Sequence, residues 1–347
     1  MPSPATKITG APVVITGAAS GIGRSLARRL ARLGSPVAIA DVDEAGLKET
    51  AASLGDRAQV LTRVLDVADA ADQKRFAGEV REWLPAPLAA VFNNAGVGLG
   101  SSVADAVPED DQWLWDINFH GVVNGTRAFL PILLEADSGA IVNTSSVFGL
   151  MGIPYQSAYC ASKFAVRGFT DSLRHELRGT GVRAITVHPG GIKTNIARNS
   201  RVRSDPLGLG RSSEEVTAAF EALLRTSPEK AAEVIHRGVE RGKARILIGP
   251  DAYAIDALAR IAPARYWDLV APLVERQMGL RAKNAAINAT RKDARLRNWA
   301  RYDALDYAIG CPAASAGRAR HHRQKRQMGH SVRLRPSSPC RLRQSTH

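Results

Sequence analysis

Cysteine is scarce in this 347-residue chain: three residues, at positions 160, 311 and 340. Three cannot build a disulfide framework and their spacing fits no zinc site, so a reducing compartment is expected and a metal is not. Aromatic residues make up only 5%, which suits an alanine- and valine-rich α/β protein better than an all-β sandwich. No run approaches 18 consecutive apolar residues, and the opening MPSPATKITG lacks a long apolar core, so neither a transmembrane span nor a secretion leader is expected and the cytoplasm is the expected location. Acidic residues are nearly missing from one end. Residues 281–347 carry 16 Lys and Arg against 3 Asp and Glu, whereas residues 1–280 carry 31 against 30. The net charge of +14 therefore belongs to a tail and not to the fold, which argues against specific nucleic-acid recognition by the folded part. Beyond Arg318 there is neither an acid nor apolar periodicity. Disorder is expected there, with contact to polyanions as a separate, salt-dependent reading for the tail.

What is present is a 45% hydrophobic composition, ample for a buried core, in short apolar runs that alternate with helical patterns of ten or more residues. That alternation predicts an α/β fold: a doubly wound, parallel, Rossmann-like sheet of about seven strands. Residues 1–250 are expected to form this domain, 251–280 two amphipathic helices broken near Pro263, and 281–347 the basic tail. The first run, Pro12 to Thr16, leads into Gly17-Ala18-Ala19-Ser20-Gly21-Ile22-Gly23 and then a helical pattern through Leu26, Leu30 and Leu33. A strand, a glycine turn and a helix in that order suit a dinucleotide diphosphate, because backbone must approach the phosphates without Cβ atoms and a helix N-terminus must face them. The second run ends at Asp41, whose carboxylate would accept from adenosine ribose hydroxyls and repel a 2′-phosphate, favouring NAD. Arg24 and Arg28 on the first helix keep NADP open.

Residues 143 to 163, NTSSVFGLMGIPYQSAYCASK, concentrate the remaining chemistry. Tyr159 and Lys163 lie four apart in a segment whose apolar positions continue at Val166, Phe169, Leu173 and Leu177, so they share one helix face. An ammonium beside a phenol favours the phenolate, which predicts a tyrosine pKa lowered toward the range of a general base. Ser146 stands thirteen residues before the tyrosine, where its hydroxyl could polarise a carbonyl that Tyr159 protonates. Taken singly, the pair reads as a helix surface contact and the serine as turn chemistry.

Together with the glycine turn and Asn93-Asn94-Ala95-Gly96, these residues resemble the short-chain dehydrogenase/reductase family, whose signature is a serine followed by Tyr-x-x-x-Lys; the resemblance spans about residues 10 to 250. It implies reversible oxidation of a secondary alcohol to a ketone with NAD, NADP not being excluded, and with no metal. Tyr159 would move the proton, Ser146 orient the substrate oxygen, and Lys163 bind the nicotinamide ribose. Asn118, 28 residues before the serine, would hold a water in a proton relay, while Asn124 fits neither spacing nor motif. The resemblance further assigns cofactor contacts to Gly17, Ser20, Gly21, Ile22 and Gly23, to Asp41, and to Asp66 and Val67 at the adenine. Asn93, Ala95 and Gly96 would brace the strand end beside the cofactor, and Pro189, Gly190, Ile192 and Thr194 would line the nicotinamide. His120, His175, His188 and His236 read as structural. Residues 195–226 read as a mobile loop with one short helix, of the kind that closes over substrate. Phe148, Leu150, Met151, Ile153 and Tyr155 suggest an apolar alcohol or ketone as the small-molecule partner, core packing explaining them nearly as well. A homodimer or homotetramer is expected. A dinucleotide-binding scaffold or sensor without catalysis stands as the alternative; the retention of Asn118, Ser146, Tyr159 and Lys163 together speaks against it.

Overall fold

The computed structural model describes residues 6–203, 212–222 and 224–277; the basic tail lies outside the described residues. Strand β1 (Val13–Thr16) leads into helix α1 (Gly21–Arg32), and β2 (Val37–Asp41), α2 (Glu44–Ala52), β3 (Val60–Val64) and α3 (Ala70–Trp83) complete the first half. Strand β4 (Ala90–Asn93) begins the second, followed by the two-residue β5 (Leu99–Gly100), α4 (Pro108–Trp115), α5 (Gly121–Glu135) and β6 (Gly139–Thr144). Helix α6 (Ser157–Glu176), β7 (Val182–Pro189), the short β8 (Arg201–Val202), α7 (Ser213–Glu221), α8 (Pro228–Glu240) and β9 (Arg245–Ile248) come next, and α9 (Pro250–Ile261) and α10 (Tyr266–Gln277) form the C-terminal extension.

The main sheet has seven strands in the order β3-β2-β1-β4-β6-β7-β9, all parallel. Its central strands are covered on both faces, which is why they read as unbroken apolar runs. Alternate residues of β1 enter opposite layers. Val13 and Ile15 pack with Leu26, Leu30 and Ile235 beneath α1 and α8, and Val14 packs with Phe76, Phe129 and Leu133 beneath α3 and α5. Phe76 meets Phe129 edge-on at 5.7 Å between ring centroids. The strand order reverses between β1 and β4. In open α/β sheets that switch point leaves a crevice at the carboxyl ends of the strands, and here those ends carry Thr16, Asp41, Asn93, Thr144 and Pro189.

The caps follow the sequence: Ser227 accepts from Lys230 N (3.2 Å) ahead of Pro228. One segment does not. Residues 109–134, whose sequence pattern is helical throughout, form α4, a π-helical turn over Asp116–His120 and α5. No helix among the described residues is long and apolar enough to cross a membrane.

Within the segment expected as a mobile loop, β8 pairs in parallel with β5, Leu99 opposite Arg201 and Gly100 opposite Val202. The pairing is fastened by charge. Asp110, buried at the start of α4, accepts from Arg201 Nη1 (2.7 Å) and from Arg203 Nε (2.5 Å) and Nη2 (3.1 Å), and the Arg201 guanidinium lies 3.7 Å from the centroid of the Trp113 ring. The hydrogen bonds from Arg203 and then Arg201 hold the Asp110 carboxyl below its ordinary value against desolvation. A depressed carboxylate stabilises the fold above its unfolded pKa, and that contribution is lost as pH falls through the native value. Asp110→Ala should therefore melt at lower temperature than the parent at neutral pH and exchange amide hydrogens faster across residues 99–101 and 201–203. The two proteins should converge only as pH falls through the depressed native pKa of Asp110, below which the carboxyl is protonated in either state; parallel thermal melts from neutral to acid pH check this.

Candidate active site

The glycine turn after β1 is built for close backbone approach. Gly17 (φ 67) and Gly21 (φ 53) occupy the left-handed region that glycine alone enters without strain. A Cβ on Gly17 would lie 2.7 Å from Ala95 Cα, one on Gly21 would lie 3.0 Å from Thr194 Cγ2, and one on Gly23 would press on the Gly17 carbonyl. The turn is thus packed between the ends of β4 and the loop after β7. Ser20, at the N-cap of α1, makes no side-chain cap bond, which leaves the first-turn N–H groups of Gly21, Ile22 and Gly23 available to an anion.

Asp41 closes the adenosine side. Its Oδ2 accepts from Ala19 N (2.9 Å) and Oδ1 from Asp43 N (3.0 Å), and a carboxylate with one bond to each oxygen retains acceptor capacity. Arg24 and Arg28 turn away from it. Arg24 binds Ala19 O, Thr50 Oγ1 (2.9 Å), Gly46 O (3.1 Å) and Glu49 Oε2 (3.0 Å), and Arg28 Nε donates to Ser53 Oγ (2.7 Å), so both are committed to α2. Asp66 is exposed and caps Ala68 N (2.9 Å). The neighbouring Val67 carbonyl is fixed by Gln73 Nε2 (2.9 Å), which also donates to Gly121 O (2.8 Å).

Asn93 and Asn94 tie strand ends together. Asn93 Nδ2 reaches Asn143 Oδ1 (2.8 Å) across β4 and β6, and Asn94 Nδ2 reaches Thr16 O (3.1 Å) and Gly17 O (3.3 Å) at the end of β1. Asn124 donates to Ala68 O (3.3 Å) and has no part in this arrangement.

Ser146, Tyr159, Lys163 and Asn118 converge above β4 and β6. The π-helical turn brings fully buried Asn118 against Val97, accepting from its N–H (2.8 Å) and donating to its carbonyl (3.0 Å). Such one-residue expansions recur at functional sites because they re-aim a side chain. Lys163 is buried, donates to Thr144 O (3.3 Å), and lies with Asn118 Oδ1 beside Gly96, where a Cβ would sit 3.2 Å and 3.0 Å from them. Ser146 Oγ accepts from Phe148 N (3.1 Å) and interacts with the Tyr159 phenol. His188 is buried, with burial pushing it down to about 4; the neutral ring donates through Nδ1 to Ser146 O (3.0 Å) and so steadies the serine backbone.

The electrostatics correct one expectation. In the protein alone, burial pushes the Tyr159 phenol up to about 12, with the Ser146 hydroxyl acting in the opposite sense. Lys163 Nζ stands 5.7 Å from the ring centroid, and its own ammonium is pushed by burial down to about 8. Residue spacing places the pair on one face correctly but carries no information about desolvation, which outweighs the attraction here.

Residues 11–205 match the short chain dehydrogenase family. The chain belongs to it. SadH of Mycobacterium tuberculosis is 44% identical over 268 residues, covering 76% of this chain and 94% of its own. The levodione reductase of Leifsonia aquatica is 36% identical over 66% of this dehydrogenase and 84% of its own length. Among solved structures, a short-chain dehydrogenase/reductase from Burkholderia phymatum in complex with NAD superposes with a TM-score of 0.66 at 32% identity, covering 73% of this chain and 94% of that one.

Sequence reasoning missed the residues that hold the catalytic candidates in place. Ser145 Oγ donates to Lys163 O (2.8 Å), and Ser162 Oγ donates to Tyr159 O (2.8 Å) while accepting from Asn118 Nδ2 (3.4 Å). Each adjoins a motif residue, yet a serine beside a motif has no pattern of its own. The glycine turn gives a direct test. Gly23→Ala should weaken NADH binding by at least about tenfold, the scale of one lost charge-assisted contact, while leaving the sheet folded. Fluorescence titration of NADH and a far-ultraviolet dichroism spectrum separate the two effects.

Proposed function

We propose that this short-chain dehydrogenase interconverts a secondary alcohol and a ketone using NAD, with Tyr159 as the acid/base. One observation carries the reading: Tyr159, Ser146 and buried Lys163 converge at the carboxyl ends of β4 and β6, next to a glycine turn in which a side chain at Gly17 or Gly23 would collide with backbone. The cradle fits a dinucleotide. Gly17, Ser20, Gly21, Ile22 and Gly23 would hold its diphosphate and Asp41 the adenosine ribose. Asp66 and Val67 would flank the adenine, and Pro189, Gly190, Ile192 and Thr194 the nicotinamide. When bound, NAD supplies a hydride acceptor at the nicotinamide C4.

In the oxidative direction Tyr159 takes the proton of the substrate hydroxyl, with Ser146 Oγ hydrogen-bonded to the same oxygen so that charge developing there is neutralised. A phenol held near 12 by desolvation is a strong base once ionised. Its ionisation is favoured by the Ser146 hydroxyl, which acts against desolvation, and by positive charge on Lys163, which titrates near 8. Asn118, fixed to Val97 and Ser162, positions the lysine end of the proton path. In the reductive direction Tyr159 returns the proton to the carbonyl oxygen. The ring of Phe148 meets Tyr159 edge-on at 6.3 Å, and the segment that continues through Leu150, Met151, Ile153 and Tyr155 would give the substrate side an apolar wall, in keeping with an apolar ketone. A relative named for the reduction of levodione is consistent with carbonyl reduction. A cytosolic location fits the low cysteine content, and a homo-oligomer would cover Leu134 and Phe164, both 41% exposed.

Tyr159→Phe keeps the ring and removes the transferable proton. With NADH and a panel of apolar ketones, turnover should fall by about 10²–10⁴-fold while the NADH dissociation constant stays within about twofold; retention of more than about a tenth of the activity would reject Tyr159 in this role. Cofactor choice rests on Asp41, because Arg24 and Arg28 are committed to α2. Asp41→Ala should narrow the NAD over NADP preference in kcat/KM by about tenfold, through relief of repulsion with the 2′-phosphate. Steady-state constants for both cofactors check it, and an unchanged ratio would remove the basis for preferring NAD.

A further inference from the structure

The chain between Ser146 and Tyr159 is mostly irregular. It makes one 3-10 turn at Val147–Gly149, then runs irregularly to Tyr155, whose φ of 62 puts a bulky residue in the left-handed region. Such a residue is strained and persists only where its surroundings fix it. Part of the fixing comes from the chain after β5, where Ser101 N donates to Tyr155 O (2.9 Å) and Ser101 pairs with Gln156. A further hold comes from the C-terminal extension. Tyr266, the first residue of α10, accepts from Gly152 N (3.0 Å) and donates to Gly152 O (2.9 Å). A single hydroxyl thus closes both backbone polar groups of one residue in the middle of the apolar wall. Helix α9 packs on the Val147–Gly149 turn.

The same extension grips the other wall. Asp251, in the first turn of α9, accepts from Gly191 N (2.6 Å), and Gly190 is a glycine for a spatial reason, since a Cβ there would collide with the Asp251 carboxylate. Gly190 and Gly191 belong to the turn read above as the nicotinamide wall. Helices α9 and α10 therefore hold one side of the crevice through Asp251 and the other through Tyr266.

We infer that Tyr266 and Asp251 are positioning residues that set the width of the substrate cleft, Tyr266 by fixing the Leu150–Ile153 wall relative to Ser146 and Tyr159, and Asp251 by fixing the nicotinamide-side turn. The inference rests on the reductase reading of the site. It makes the C-terminal extension part of substrate selection, although the extension supplies no group that touches the reacting atoms.

The test is Tyr266→Phe and Asp251→Ala in the full chain, each checked for folding by its thermal melt. Loss of the Tyr266 hydroxyl should speed amide exchange in residues 150–155 by about tenfold, the worth of one or two hydrogen bonds. With NADH and the methyl ketones from 2-butanone to 2-decanone, Tyr266→Phe should raise KM for the preferred chain length by about tenfold. It should also flatten the discrimination along the series, while kcat and the NADH dissociation constant change by less than about twofold. Asp251→Ala should give the crossed pattern, with weaker NADH binding and chain-length discrimination retained; a general loss of stability would move both readouts in both variants. Unchanged exchange in residues 150–155, or an unchanged chain-length profile in Tyr266→Phe, overturns the inference. If the parent reduces none of these ketones, the reading of the site fails for that substrate class, whereas the exchange measurement still decides whether Tyr266 holds the wall.

Discussion

The arrangement of the site follows from one demanding requirement, the burial of an ammonium without a carboxylate beside it. Lys163 Nζ is 3% exposed as a residue and finds Thr144 O at 3.3 Å, and desolvation draws its pKa down to about 8. A buried cation tolerates little slack, because an unpaired donor in the interior costs about as much as the hydrogen bond it lacks. The neighbourhood is accordingly stripped of bulk. A side chain at Gly96 would sit 3.2 Å from Nζ, and one at Gly149 would sit 2.6 Å from Lys163 O. Ser145 and Ser162 fix the backbone of α6 around the lysine, and the π-helical turn sets the Asn118 amide on the other side. The tyrosine comes with the lysine, since four residues along one helix face leave it no other direction to point.

These demands explain which parts of the molecule can be read from sequence. Strands β1, β4, β6 and β7 are buried on both faces, so they appear as short apolar runs, and the glycine turn and Tyr-x-x-x-Lys carry their geometry in their spacing. The π-helical turn escapes because it shifts one hydrogen-bond register inside a segment whose apolar periodicity continues on both sides. The pairing of β5 with β8 escapes because two residues on each strand, about a hundred apart in the chain, leave no local pattern. One charge reading fails because a spacing that puts Lys163 beside Tyr159 says nothing of how dry the phenol is. Nor can spacing show that Arg24 and Arg28, close to the cofactor turn in sequence, spend their donors on α2.

The chemistry and its geometry draw on different parts of the chain. Every candidate for proton movement or cofactor contact lies between Gly17 and Thr194, within the span that resembles other short-chain dehydrogenases. The walls of the crevice are held from beyond Thr194, by Asp251 on Gly191 and Tyr266 on Gly152, while Arg201 and Arg203 on Asp110 fasten β8 beside the start of α4. These contacts can vary without disturbing the proton path, since none of them touches Ser146, Tyr159 or Lys163. A parallel sheet with its reactive groups at the strand ends suits this division: the ends are fixed by the sheet, and the loops leaving them are free to be tied in different ways. Substrate preference in such a protein is then set by the anchoring of its walls, and the Tyr266 hydroxyl, which supplies both hydrogen bonds to the Gly152 backbone, is the smallest part of that anchoring that can be altered alone.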